Sequence, residues 1–177
     1  MNLRQVRHTS DVGPAIAGIR AALPKREKPP PLVTTEDFWT SRHIDPLIVK
    51  ASCSLFESGH YAQAVREAMQ ALDRKVAKRA GLQGSGVAMM RSAFSPDSPR
   101  LRWNNFKGLS SRDQQEGYMQ LFAGAIAGVR NPRSHEPDHA DDRETCEDLL
   151  VLASHLAKKL DQACRARTSR RRGSGKP

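Results

Sequence analysis

The apolar residues between positions 44 and 160 recur three and four places apart and nowhere alternate, a spacing that lines one face of a helix and argues against strands. Ile44, Leu47, Ile48, Ala51, Leu55 and Phe56 form a first stripe, ended by Gly59. Tyr61, Val65, Ala68, Met69, Leu72 and Val76 form a second. There Arg66, Glu67, Asp73, Arg74, Lys75, Lys78 and Arg79 fall mostly on the other face, and Gly81 is placed to cap the end. The short connection between these two stripes makes them an antiparallel hairpin. A third stripe, Tyr118, Leu121, Phe122, Ala125, Ile126 and Val129, is expected to stop before Pro132. A fourth begins near Asp141 and Asp142, whose charges suit a helix N-terminus, and is expected to bury Leu149, Leu152, Leu156 and Leu160. The fold class is all-α, an up-and-down bundle of four main helices. Residues 82–111, rich in Gly, Ser, Pro and Asn, are expected to form a long loop carrying one apolar patch, Val87 to Met90, before Phe94.

Three segments follow from composition. Pro24 and the run Pro29-Pro30-Pro31, set among charged residues, cannot continue a helix, so residues 1–35 read as a basic N-terminal segment with an extended linker. Ahead of that linker, Ser10 and Asp11 can cap a small helix carrying Ile16, Ile19 and Leu23. Residues 36–164 are the helical domain, and residues 165–177 a disordered basic tail. The formal charge of +10 is a nucleic-acid signal, but its placement matters more than its sum. Residues 1–35 carry +4 and residues 165–177 carry +6, which accounts for the whole charge and leaves the domain neutral. Arg165, Arg167, Arg170, Arg171 and Arg172 of the tail are the candidates for holding a phosphate backbone by counterion release, without sequence specificity.

Several functions are excluded or disfavoured. Mean hydropathy is −0.62 and charge interrupts every apolar stretch before the roughly 18 residues a span requires, so no membrane partner is expected. The opening MNLRQVRHTSDVG lacks the apolar core of a secretory signal, so the expected location is the cytoplasm. Cys53, Cys146 and Cys164 include no CxxC pair and read as reduced thiols, Cys53 as a buried one. His135, His139 and Cys146 match no standard zinc spacing, and neither metal nor cofactor is expected. The glycine-rich dinucleotide turn, the phosphate-binding loop and the nucleophile elbow are all missing from the sequence.

Two features remain. Gly117, Gly124 and Gly128 line one strip of the third helix, where each glycine costs roughly 1 kcal/mol relative to alanine. Such a strip implies close approach of another helix, within the bundle or across a dimer. At the end of the same helix stands Arg130-Asn131-Pro132-Arg133-Ser134-His135-Glu136. Pro132 disfavours the α conformation at Asn131, so the chain should break there and bring His135 back toward Arg130. Arginine grips phosphate oxygens through paired donors, histidine exchanges protons near neutral pH, and the RNA 2′-hydroxyl can serve as nucleophile without a metal. The plainer alternative is a loop in which His135 and Asn131 cap backbone groups and Arg130 pairs with an acid of the fourth helix.

Three ordered blocks, Leu55 to Ala68, Met89 to Ser95, and Leu121 to Ala125 leading into Arg130 to Glu136, give the chain a family likeness. Over residues 43–163 it resembles the Ymh-type family of bacterial proteins and, more broadly, is similar to the HEPN superfamily. The resemblance implies a HEPN-like bundle, commonly a homodimer with two motif copies facing a shared cleft. It implies a metal-independent ribonuclease acting as toxin or abortive-infection effector, with an antitoxin or defence-system partner, or else a relative that lost catalysis and binds nucleic acid, nucleotide or protein. Carried over, Arg130 and His135 become the catalytic pair and Asn131 the accompanying polar residue; Arg133, beside them in the sequence, is a candidate nucleic-acid contact in its own right. One departure is Gly84-Ser85-Gly86-Val87-Ala88, where the family pattern has an acid before the Met pair.

Overall fold

The computed structural model describes residues 35–136 and 138–166. The expected N-terminal helix and proline linker, and the tail beyond Ala166, lie outside them. A first helix, α1 (Thr35–Ser41), leads to α2 (Pro46–Glu57) and α3 (Tyr61–Ala80). Asp45 caps α2 by accepting from the Leu47 amide at 2.9 Å, with Pro46 in the first turn where no amide donor is needed. Gly81, at φ +66°, ends α3 in the left-handed conformation and donates to the Ala77 carbonyl. Then come α4 (Gly86–Phe94), α5 (Leu109–Gly124), a π-helical segment (Ala125–Arg130), α6 (Asn131–His135) and α7 (Arg143–Asp161). The all-α expectation holds. The only strands among the described residues are β1 (Leu101–Arg102) and β2 (Cys164–Arg165), two-residue pieces paired antiparallel with Leu101 opposite Arg165. No described helix is long and apolar enough to cross a membrane.

Helix α3 is the centre of the bundle, packed against α2, α4, the π segment and α7. Its Val65, Ala68, Met69, Leu72 and Val76 are fully buried, as the spacing required. On α7 the buried stripe is Cys146, Leu150, Ala153, Leu156 and Leu160, so the expected face is turned by one residue: Leu149 and Leu152 sit half-buried at its margin. On α5 Leu121 is 51% exposed, whereas Phe122 and, in the π segment, Ile126 are fully buried.

Two expectations are corrected. Residues 82–111 are not one long loop: Val87, Met89, Met90 and Phe94 belong to α4, and Phe94 stacks on Trp103 and packs on Phe122 with ring centroids 4.9 and 4.6 Å apart. Nor does Pro132 break the chain. Proline lacks an amide and its ring collides with the carbonyl four residues back in an α-helix. Here the register widens first, the Asn131 amide donating to Ile126, five residues back, and the helix runs on through Asn131 (φ −64°, ψ −47°) to His135. The tail boundary also moves. Arg165 is tied down, its guanidinium donating to the Arg79 and Lys78 carbonyls at the C-terminus of α3 at 2.8 and 3.3 Å.

The connection from α4 to α5 hangs on Gln115. Its side chain is fully buried; the amide nitrogen donates to the Phe94 and Leu101 carbonyls, both at 2.9 Å, and its oxygen accepts from the Trp103 amide at 3.3 Å. Gln115→Leu leaves three backbone groups unpaired and is expected to lower stability by on the order of 2–4 kcal/mol in urea unfolding. Gln120→Leu, on the exposed side of the same helix, is expected to stay within about 0.5 kcal/mol of the parent.

Candidate functional site

The site is built where the motif helix crosses α3. Asp73 of α3 is buried, 3% exposed, and makes two contacts. Both carboxylate oxygens accept from the Gly86 amide, at 3.2 and 3.1 Å, and Oδ2 also accepts from Nη2 of Arg130 at 3.3 Å. Gly86 opens α4, and Ser85 makes no side-chain cap there, so a carboxylate from another helix supplies the missing cap and complements the positive end of the α4 dipole. Gly86 has φ +86°, and a Cβ on it would stand 3.5 Å from Nη2 of Arg130. A side chain there meets the conformational penalty of positive φ, while its Cβ would make only ordinary contact with the guanidinium.

Arg130, with 17% of its side chain exposed, thus lies against α3 with its Nε buried and unpartnered. Arg133 is 6% exposed and grips Asp141 through a two-pronged contact, Nε and Nη2 each at 2.6 Å, while Nη1 donates to the Val129 carbonyl. It fastens α6 to the start of α7, so its donors face a carboxylate of this chain where a phosphate contact was expected. Ser134 donates to the Arg130 carbonyl at 2.9 Å. His135 is exposed and, among the described residues, nothing hydrogen-bonds its ring; Asn131 is half-buried.

Because the helix is unbroken, Arg130 and His135 do not converge within one chain. Five helical steps of about 100° set the two side chains roughly 140° apart around the axis. Arg130 points in at Asp73, and His135 points out. The acid that meets Arg130 comes from the second of the expected helices, where the plainer loop reading had the fourth. In the glycine-rich segment, which carries no acid before the Met pair, the Gly86 amide is met by the Asp73 carboxylate of α3. By residue type, Asp73 reads as a solvent-facing residue. Its position four after Met69 and three before Val76, on the apolar face, is the signal that marks it.

The glycine strip is likewise sharpened. Gly117, Gly124 and Gly128 are exposed, and a Cβ built on any of them meets nothing within 4 Å. No helix of this chain approaches them among the described residues. With Leu121 they form an outward face leading toward His135. Of the tail candidates, Arg165 belongs to the body, and Arg167, Arg170, Arg171 and Arg172 lie outside the described residues. Among the described residues no cluster of three His, Cys, Asp or Glu side chains could hold a metal ion. The buried thiol is Cys146 rather than Cys53, which is only half-buried.

Fold and site together define an all-helical bundle organised around a buried Arg–Asp pair. The chain belongs to the Hypoth_Ymh family, described as proteins of unknown function, whose model matches residues 42–160. No curated protein and no solved structure matches it.

Removing Asp73 strands a buried guanidinium and the Gly86 amide. Asp73→Ala is expected to cost about 3–5 kcal/mol in denaturant unfolding, and the joint replacement Asp73→Leu with Arg130→Met considerably less than the sum of the two single changes. Burial, reinforced by Asp141 and Glu147, pushes the Cys146 thiol from 9.0 up to about 12. Above pH 9 the unfolded chain therefore releases this proton while the native one keeps it. Stability should fall as pH rises from 9 toward 12, and Cys146→Ala should flatten that fall in unfolding curves taken across the range.

Proposed function

We propose that this chain is a metal-independent RNA-cleaving protein of the HEPN type, working in the cytoplasm of a bacterium as a toxin or abortive-infection effector held in check by a partner protein. The observation that carries the reading is the division of labour on one helix. Arg130 is oriented by Asp73 and keeps 17% of its side chain exposed, while His135 stands exposed with an unengaged ring at the far end of α6. Arg130 would hold the phosphate. His135 would take the 2′-hydroxyl proton, or return one to the leaving 5′-oxygen, as the 2′-oxygen attacks phosphorus and a cyclic phosphate forms. Asn131 would stand beside them.

Since the two side chains diverge within one chain, a cleft holding both calls for a second copy. The Gly117–Gly124–Gly128 face with exposed Leu121 is where two such helices can approach closely in a twofold arrangement. The basic tail would add a salt-sensitive hold on RNA.

A second reading, a non-catalytic binding or regulatory module, is favoured by the charge around the motif. Apart from the Arg133–Asp141 and Arg143–Glu147 pairs, Glu136 at the end of the motif and Asp138, Asp142, Glu144 and Asp148 after it oppose an approaching phosphate.

One experiment separates the two. Purified protein in EDTA is expected to cleave RNA, and His135→Ala, at an exposed position, to lose roughly 100-fold or more of that activity. Gly124→Leu has room for its side chain and should fold, by circular dichroism, yet become monomeric by sedimentation and inactive. Equal cleavage by His135→Ala disproves the assigned site, an active wild-type monomer disproves the shared cleft, and no cleavage of any RNA favours the module.

A further inference from the structure

On the side of α3 away from Arg130, a groove of about 560 Å³ runs between α2 and α3. Its floor is apolar, made by Leu47, Ala51 and Ala71, and its rim is cationic, made by Lys50, Arg74, Lys75 and Lys78. Leu47, Lys50 and Ala51 share one face of α2, and Ala71, Arg74, Lys75 and Lys78 share one face of α3, at spacings of three and four. Lys75 is bound to Asp161 at 2.8 Å. Lys50, Arg74 and Lys78 are exposed, and none has a carboxylate partner among the described residues. Arg74 and Lys78 stand four residues apart, a like-charge spacing that disfavours a helix and gains nothing inside the chain.

We infer that this groove docks an acidic amphipathic helix of a protein partner, with apolar side chains on the alanine floor and Asp or Glu side chains against Lys50, Arg74 and Lys78. Two alanines set side by side on antiparallel helices leave a trough rather than a pocket, the shape in which an amphipathic helix lays down anchors one turn apart. The unpaired cations supply charge complementarity for the flanks. RNA fits less well. The lining has no aromatic ring on which a base could stack, the floor offers phosphate nothing, and Asp73 lies about 200° from Ala71 around the α3 axis, so the groove is no extension of the Arg130 site. The inference does not rest on RNA cleavage.

The probe is a short labelled helical peptide with leucines one turn apart and glutamates on both flanks, titrated against the full chain by fluorescence anisotropy. The same peptide with lysine for glutamate and a labelled oligouridylate are run beside it. The glutamate peptide is expected to bind, weakening with added salt, and to lose roughly tenfold or more in affinity with the Arg74→Glu/Lys78→Glu double change. Both positions are exposed, so the fold should survive, which circular dichroism checks. Ala51→Phe should weaken binding by filling the floor without altering charge, and amide shifts induced in the wild-type protein should centre on Leu47, Ala51 and Ala71. Absence of binding overturns the inference, as does equal binding of the lysine peptide or indifference to the charge reversal. If the oligouridylate binds there and the peptide does not, the groove is a nucleic-acid surface and the inference falls.

Discussion

The buried carboxylate of Asp73 is the constraint on which the rest of the arrangement depends. A charged group removed from water must be matched by charge or by directed donors, because its desolvation otherwise costs several kcal/mol. Asp73 meets both demands at once, with the Arg130 guanidinium and the first amide of α4. Three stretches far apart in sequence are thereby fixed: the middle of α3, the glycine turn at 84–86 and the end of the long motif helix. None of the three can shift without leaving a buried polar group unpaired. Gly86 is part of the same device, since its positive φ, which favours glycine, aims the amide at the carboxylate.

The motif helix solves a related problem. Arg130 must enter the bundle while Pro132, two residues on, forbids ordinary helical bonding. Widening to the π register lets the Asn131 amide reach Ile126 and carries the helix past the proline without a break. Beyond it, His135 is exposed, whereas Arg133 turns inward onto Asp141.

Periodicity alone was enough to identify the four main helices, because apolar burial dominates their placement: every stripe read, on α2, α3, α5 and α7, corresponds to a helix of the bundle. What spacing could not convey were the choices made by single polar groups. Gln115 and Asp73 both fall on apolar faces, one seven residues before Phe122 and the other four after Met69, and a polar residue at such a position is a buried hydrogen-bonding post. Reading them by residue type instead of by phase hid both. The helix α4 was masked by composition, since Gly84, Ser85 and Gly86 resemble loop but serve a cap whose acceptor lies 13 residues away. Proline in an α register predicts a break, and only the neighbouring backbone decides between a break and a π turn. Pairs such as Arg133 with Asp141, eight residues on, and Arg165 with the end of α3 leave no trace in local spacing.

The neutral charge of the domain conceals a division. Acids gather at the start of α7 beside the motif, whereas unpaired bases gather on the outer faces of α2 and α3. Both surfaces are organised by α3: one side presents Asp73 inward to Arg130, and the other presents Arg74 and Lys78 to solvent beside Ala71. A helix this deeply buried is the most rigid part of such a bundle, because its exposure requires most of the core to open. An occupant of the outer groove would therefore leave Arg130 in place, and any influence it has on the motif must be exerted by blocking access. A partner that docks on α2 and α3 can leave the buried pair intact and still control what reaches the exposed end of α6.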